Sequence, residues 1–230
     1  MASTGLRSNP ATSKLTRVRR MPQRAAYDSE TIHAILDSCI LCSVGYVLDD
    51  QPVVTPTIFW RRQSRIYWHG SVGSRMLRAL SGGIKACVTV THMDGLVLAR
   101  SAFNHSINYR SVMAFGSALS VDDPKEKTAA LEGLVEKLTP GRWKEVRQPN
   151  DRELKATTVL WMDLAEASAK IRTGGPNDDL EDMEQRVWAG VVPMTIKTKT
   201  VITDKRGVDV PPPDYLKLLC RFFDLPDETK

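Results

Sequence analysis

The run ACVTVTHMDGLVLARSAFNHSINYRSVMAFG, Ala86 to Gly116, decides the fold. Ala86 to Thr91 alternates apolar and polar residues with the period of a half-buried strand. Met93-Asp94-Gly95 carries turn chemistry, so Leu96 to Phe103 is expected to return as a hairpin partner. Arg110 to Val121 reads as a further strand. Polar groups crowd its start, where Asn108, Tyr109, Arg110 and Ser111 stand in a row. Alternation places Tyr109 and Ser111 on one face and Asn108 and Arg110 on the other. The pattern alone fits either ordinary polar caps or a ligand-binding edge.

The flanking sequence continues in the same style. Ile40–Leu48 and Pro52–Trp60 read as strands joined by Asp49-Asp50, and Arg62-Gln63-Ser64 turns the chain into Ile66–His69. Ala156–Leu164, Ala169–Arg172 and Val187–Thr198 are further expected strands. Helices are few. Asp28 caps one that carries Ile32, Ile35 and Leu36 on one face. Met76, Leu77 and Leu80 mark a short second helix ended by Gly82-Gly83. Asp123-Pro124 opens a third, with Leu131, Leu134, Val135 and Leu138 as its buried stripe. A short terminal helix is expected over Tyr215–Phe222, after Pro211-Pro212-Pro213. No βα alternation repeats, so the fold class expected is mainly β: an antiparallel β-barrel with peripheral helices.

Charge is unevenly placed. The formal net charge is +5, yet residues 1–25 contain Arg7, Lys14, Arg17, Arg19, Arg20 and Arg24 and no acid. The body is therefore nearly neutral, and a nucleic-acid surface running over it is not expected. The domain plan is a basic, flexible arm over 1–25, a barrel over 26–203 and an extension over 204–230. No apolar run approaches the ~18 residues that span a bilayer, and the start lacks the apolar core of a secretory signal. A cytoplasmic protein is expected. Cys39-Ile-Leu-Cys42 has no second cysteine pair or paired histidines, so no metal site is expected.

His69-Gly70-Ser71-Val72-Gly73-Ser74-Arg75 sits where a strand meets a helix. Backbone N–H groups at a helix start favour an anion, and Ser71, Ser74 and Arg75 add donors. An N-cap serine beside a solvated arginine fits the same spacing. Two donor-rich β-elements without a metal motif point to a phosphorylated organic cofactor.

IYWHGSVGSRMLRAL, the long run from Cys87 to Ala118 and VWAGVVP together resemble the flavin-nucleotide-binding branch of the pyridoxamine 5′-phosphate oxidase-like split-barrel family, in which the nitroimidazole-resistance reductases also fall. TRVRRMPQRAAYD resembles the usual start of these proteins, and the likeness runs from about Thr16 to Met194. It implies a six-stranded split barrel, a homodimer, and FMN in two clefts at the subunit interface. By the same resemblance His69, Ser71, Ser74 and Arg75 match the phosphate segment, and Thr57, Ile58 and Phe59 the strand beside the isoalloxazine ring. Tyr109, Arg110 and Ser111 match the motif lining the cleft from the partner chain, and Trp188 a late aromatic near the ring. The flavin then carries the chemistry, with NAD(P)H as reductant and a small electrophilic or nitro-aromatic acceptor. His69 is the expected proton donor and His105 the second. The substrate-phosphate arginines and C-terminal Trp/Arg pattern of authentic pyridoxamine phosphate oxidases are missing, so vitamin B6 oxidation is not expected. A non-catalytic flavin- or haem-binding module is the alternative.

Overall fold

The computed structural model describes residues 10–206 and 210–216. Its strands are β1 (Ala25–Ala26), β2 (Leu41–Leu48), β3 (Gln51–Arg62), β4 (Arg65–Ser71), β5 (Lys85–Leu98), β6 (Ser106–Ser117), β7 (Leu119–Ser120), β8 (Thr157–Asp163), β9 (Ala167–Arg172) and β10 (Gly190–Pro193). Among the described residues four α-helices accompany them: α1 (Ser29–Asp37), α2 (Arg75–Ser81), α3 (Pro124–Leu138) and α4 (Asp151–Ala156). The protein is mainly β, and every pairing is antiparallel.

The sheet has ten strands rather than six, in the order β1-β9-β6-β5-β2-β3-β4-β8-β7, with β10 on β5. No ladder joins its two ends. Only Ala118 separates β6 from β7, however, and β7 bonds β8 through Leu119↔Trp161. One run of chain therefore touches β5 at its start and β8 at its end. The six-strand body of β2, β3, β4, β5, β6–β7 and β8 curls round a core containing Val44, Phe59, Trp68, Leu80, Val88, Val112 and Leu160. Burying each large side chain contributes roughly 1.5–3 kcal/mol. On the other side of β3 and β4, Trp60 stacks on Tyr67 at 5.8 Å and packs with Ala130 and Leu134 of α3. Alternation along β3 and β4 feeds both cores.

The expected hairpin at Met93-Asp94-Gly95 is not a turn. β5 runs straight through it with a register shift between Met93 and Gly95, and its partner is β6. Two constraints explain the misreading. A Cβ on Gly95 would lie 2.9 Å from the carbonyl oxygen of Val192, so glycine is needed where β10 crosses closely. Asp94 holds Arg110 across the ladder instead of capping a turn. The expected Val187–Thr198 strand shortens to Gly190–Pro193. α4 was not anticipated, although Asn150 and Glu153 form a reciprocal capping box at its start. Most of the expected Tyr215–Phe222 helix lies outside the described residues. The basic arm meets the body: Thr16 is buried, Val18 N–H donates to the Tyr27 hydroxyl at 2.9 Å, and Ala25–Ala26 pairs with β9.

Three histidines are pushed below their ordinary pKa, each chiefly by burial: His33, His69 and His92. His69 lies edge-on to Trp60 at 5.9 Å, and its buried Nδ1 has no partner. His92 Nε2 lies 3.2 Å from Ser38 Oγ and 3.3 Å from the Ile35 carbonyl. The unfolded chain therefore binds protons more readily than the native one below the ordinary histidine pKa of about 6.5. By linkage this contribution leaves stability intact above that value and lowers it as pH falls towards the depressed native values. The urea midpoint should be lower at pH 5.5 than at pH 7.5, and less so in His92→Gln; equal dependence in both proteins would remove His92 as a contributor. Gly95→Ala should push β10 from β5 at a cost of about 1–3 kcal/mol. Hydrogen exchange should speed up across 190–193, and unchanged protection there would contradict the close-approach explanation.

Candidate functional site

The β4–α2 junction is built by local hydrogen bonds. Ser71 closes the β4–β8 ladder opposite Thr157, and Val72 N–H donates to the Ala156 carbonyl at 3.1 Å. Ser74 N–H returns to the Ser71 carbonyl at 2.9 Å, which makes the turn. Ser71 Oγ accepts from Gly73 N–H at 3.2 Å, and Ser74 Oγ caps α2 by accepting from Leu77 N–H at 3.4 Å. Each hydroxyl uses an oxygen lone pair locally and keeps its own proton to donate. Ser71, Val72, Gly73 and Arg75 are exposed, and Arg75 bonds no carboxylate among the described residues. The backbone N–H groups of Val72, Gly73 and Ser74 are thus engaged within the chain, and the donors left at this junction are the Ser71 and Ser74 hydroxyl protons and the Arg75 guanidinium. His69, two residues before Ser71, is half-buried and pairs with Val159. Burial favours its uncharged form, so at neutral pH it is short of the imidazolium expected of a proton donor.

On β6 the expected alternation holds. Asn108, Val112 and Ala114 are buried, while Met113 on the opposite face is exposed and Tyr109 and Ser111 are half-buried. The residues of the motif differ in what they have left to give. Arg110 donates from Nε and Nη2 to the two Asp94 oxygens at 2.9 and 2.7 Å. Most of its fork is therefore spent within the chain. Ser111 Oγ donates to the Lys170 carbonyl at 3.2 Å. The Tyr109 hydroxyl has no hydrogen bond among the described residues.

The remaining expected residues divide. Thr57 and Ile58 are half-buried on β3, opposite Cys42 and Leu41. Phe59 is fully buried opposite Trp68, so its ring is core. Trp188 is 64% exposed in the loop before β10. A Cβ at Gly190 would lie 2.8 Å from its ring, so the indole lies over that glycine at the β5 edge.

One chain does not bring these groups together along its sheet. In one direction three strands, β3, β2 and β5, separate β4 from β6, and four strand spacings amount to about 19 Å; in the other only β8 intervenes, and it meets the β6–β7 run at Leu119, far along the chain from Tyr109. Between the two motifs lies an uncovered sheet face: Leu41 is 59% and Val54 67% exposed, and Met93 and Met113 are exposed too. Sequence reasoning missed Lys170 and Arg172. The register places them opposite Ser111 and Tyr109, and the alternation Lys170-Ile171-Arg172 is the signal that could have found them.

Comparisons with known proteins give relatives of the same fold. The flavocytochrome Anf3 from Azotobacter vinelandii is 43% identical, with a TM-score of 0.87 over 91% of this chain and 98% of that one. An FAD- and haem-binding protein from Mycobacterium smegmatis is 34% identical, with a TM-score of 0.82 over 86% and 97%. A protein classed with 5-nitroimidazole antibiotic resistance, from Bacteroides thetaiotaomicron, shares the fold at 22% identity, with a TM-score of 0.53 over 64% and 86%. None of the curated proteins matches the chain. The sequence matches the family described as pyridoxamine 5′-phosphate oxidase over residues 28–171, and the chain belongs to that family.

Proposed function

We propose that this protein is a flavin-binding oxidoreductase whose cofactor lies between two copies of the chain. The observation that carries the reading is the separation of two exposed donor sets, Ser71–Arg75 and Tyr109–Ser111, by three strands and an uncovered apolar sheet face. Pairing two copies through that face buries apolar surface and lets one copy's junction meet the other's β6. Ser71, Ser74 and Arg75 hold the phosphate, the Arg75 fork matching its oxygens. The backbone of Thr57–Phe59 lies along the ring, and Tyr109 supplies a free hydroxyl. Arg110 acts mainly by bracing the site through Asp94. The flavin supplies electron transfer, with NAD(P)H as donor and a small electrophile as acceptor. FMN is the cofactor expected from the sequence; the FAD named for the Mycobacterium smegmatis relative makes the dinucleotide the preferred form here.

A second reading adds haem, named for the same relative. The residue that fits is His105. Its Nδ1 lies 2.9 Å from the Ser101 carbonyl, which fixes the tautomer and leaves Nε2 open. Phe103, 93% exposed, and the exposed Ile107 flank it with apolar surface. Haem bound there brings an iron centre able to pass single electrons.

Arg75→Ala should weaken flavin binding by about 1.5–3 kcal/mol, read by quenching of flavin fluorescence; unchanged affinity in a folded variant would mean that Arg75 is merely solvated. The purified protein should show a flavin spectrum that NAD(P)H bleaches. Flavin that NAD(P)H leaves oxidised, with and without acceptors, would favour a binding module instead. A Soret band retained in His105→Ala would remove His105 as the haem ligand.

A further inference from the structure

We propose that the cleft between α3 and the β3–β4–β8 face binds a small aromatic monocarboxylate, held by Arg62 and Arg65. The site goes beyond the flavin reading and does not depend on it. The cleft has a volume of about 270 Å³, just below the roughly 300 Å³ at which pockets for drug-sized ligands begin. Arg62, Arg65, Tyr67 and Trp161 line it from the sheet, and Glu126, Ala129 and Ala130 from the helix. The register accounts for the first group: Arg62 stands opposite Arg65, and Tyr67 opposite Trp161. The spacing of 126, 129 and 130 puts the second group on one helix face. Arg65 begins β4 and Ser71 ends it, so about 20 Å of strand separates this cleft from the proposed flavin phosphate.

The two arginines stand where the folded chain gains nothing from them. Like charges directly opposite on antiparallel strands, with Cβ atoms about 5 Å apart, repel. Among the described residues neither guanidinium forms an ion pair. Two carboxylates near them leave the repulsion uncompensated. Asp163, opposite Arg65 on β8, accepts from Ala165 N–H at 2.8 Å, and Glu126 pairs with no cation among the described residues. Arg61, next along β3 and on its other face, shows the contrast by donating from Nε to Asp37 at 2.9 Å. Arg62 and Arg65 are exposed, so a ligand reaches them from solvent. Arg65 is nonetheless held in place, because its guanidinium carbon lies 3.7 Å from the centre of the Trp161 ring. Stacking uses the flat face of the guanidinium and leaves its in-plane N–H groups free to donate. Beside the Arg62 stem the buried Trp60 Nε1 has no partner: a Cβ on Gly133 of α3 would lie 3.1 Å from both that nitrogen and Arg62 Cδ.

The chemistry of the cleft selects the ligand. Two guanidinium forks suit a planar carboxylate, whose two oxygens accept from both at once. Glu126 on the helix wall opposes a second negative charge, which favours a monoanion over phosphate. Ala129 and Ala130 are small, so room is left between the helix and the aromatic wall of Tyr67 and Trp161. A flat apolar ring fills such a gap between helix and sheet.

The test is calorimetric titration of the full chain with 3-phenylpropionate, for which one saturable site per chain is expected at millimolar concentration or below. Arg62→Ala should weaken binding at least tenfold while the melting temperature stays level or rises, since one of two repelling charges is gone. Ala129→Phe, which fills the cleft without touching a charge, should also abolish binding, and Glu126→Gln should tighten it. The amine of matching shape, 3-phenylpropylamine, should not bind. No saturable binding of 3-phenylpropionate, or binding that ignores Arg62→Ala and Ala129→Phe, would overturn the site. Inorganic phosphate that binds there more tightly would overturn the choice of a monocarboxylate. Displacement of the probe by flavin, or its loss in Arg75→Ala, would move the carboxylate to the flavin cleft and overturn a separate site. Protein that binds the probe and no flavin would sink the flavin reading alone.

Discussion

The structure depends on the ladder between β5 and β6, which runs from Lys85↔Ser117 to Val97↔Ser106. β5 also bonds β2 along its first half and β10 beyond the bulge. β6 carries the sheet outward to β9 and, through β7, back to β8. Both strands thus serve several neighbours, and a slip of one residue would turn every core side chain outward. The bulge at Asp94–Gly95 and the Asp94–Arg110 pair pin that register at the end nearest the site. The pair is half-buried, so removing one partner would leave the other charge poorly solvated. Register and the placement of Arg110 are fixed together by Asp94, Gly95 and Arg110.

The strands and helices with strong periodicity were legible from sequence. Leu41–Leu48, the Asp28-capped α1 and the Asp123-Pro124 start of α3 all follow from alternation or capping chemistry. The errors fell where a glycine had two possible uses. Met93-Asp94-Gly95 carries the residues of a turn, and only the approach of β10, about a hundred residues later, makes it a bulge. No local pattern contains that contact. The shortened β10 and the two-residue β1 have the same cause, because both are set by the edges they join.

The site was partly legible for a related reason. Motifs named the donor-rich stretches, but they could not say which donors were already engaged. Arg110 reads as a ligand in the sequence and proves to be paired with Asp94, while Tyr109 beside it stays free. Phe59 reads as part of the strand whose backbone runs beside the ring, and its side chain is core. Arg172 drew no attention in the sequence, because a single arginine ending a strand looks solvated. Its burial among neutral oxygens is what gives it meaning.

The central claim is that each cofactor site is assembled from two chains. Co-expression of an Arg75→Ala chain with a Tyr109→Ala, Ser111→Ala chain, followed by isolation of the mixed dimer, measures this directly. In a shared site both lesions fall in one cleft and the other is intact, so the mixed dimer should bind one flavin tightly per two chains. Two weakened sites and no tight one would show that each chain builds its site alone, and would contradict the account.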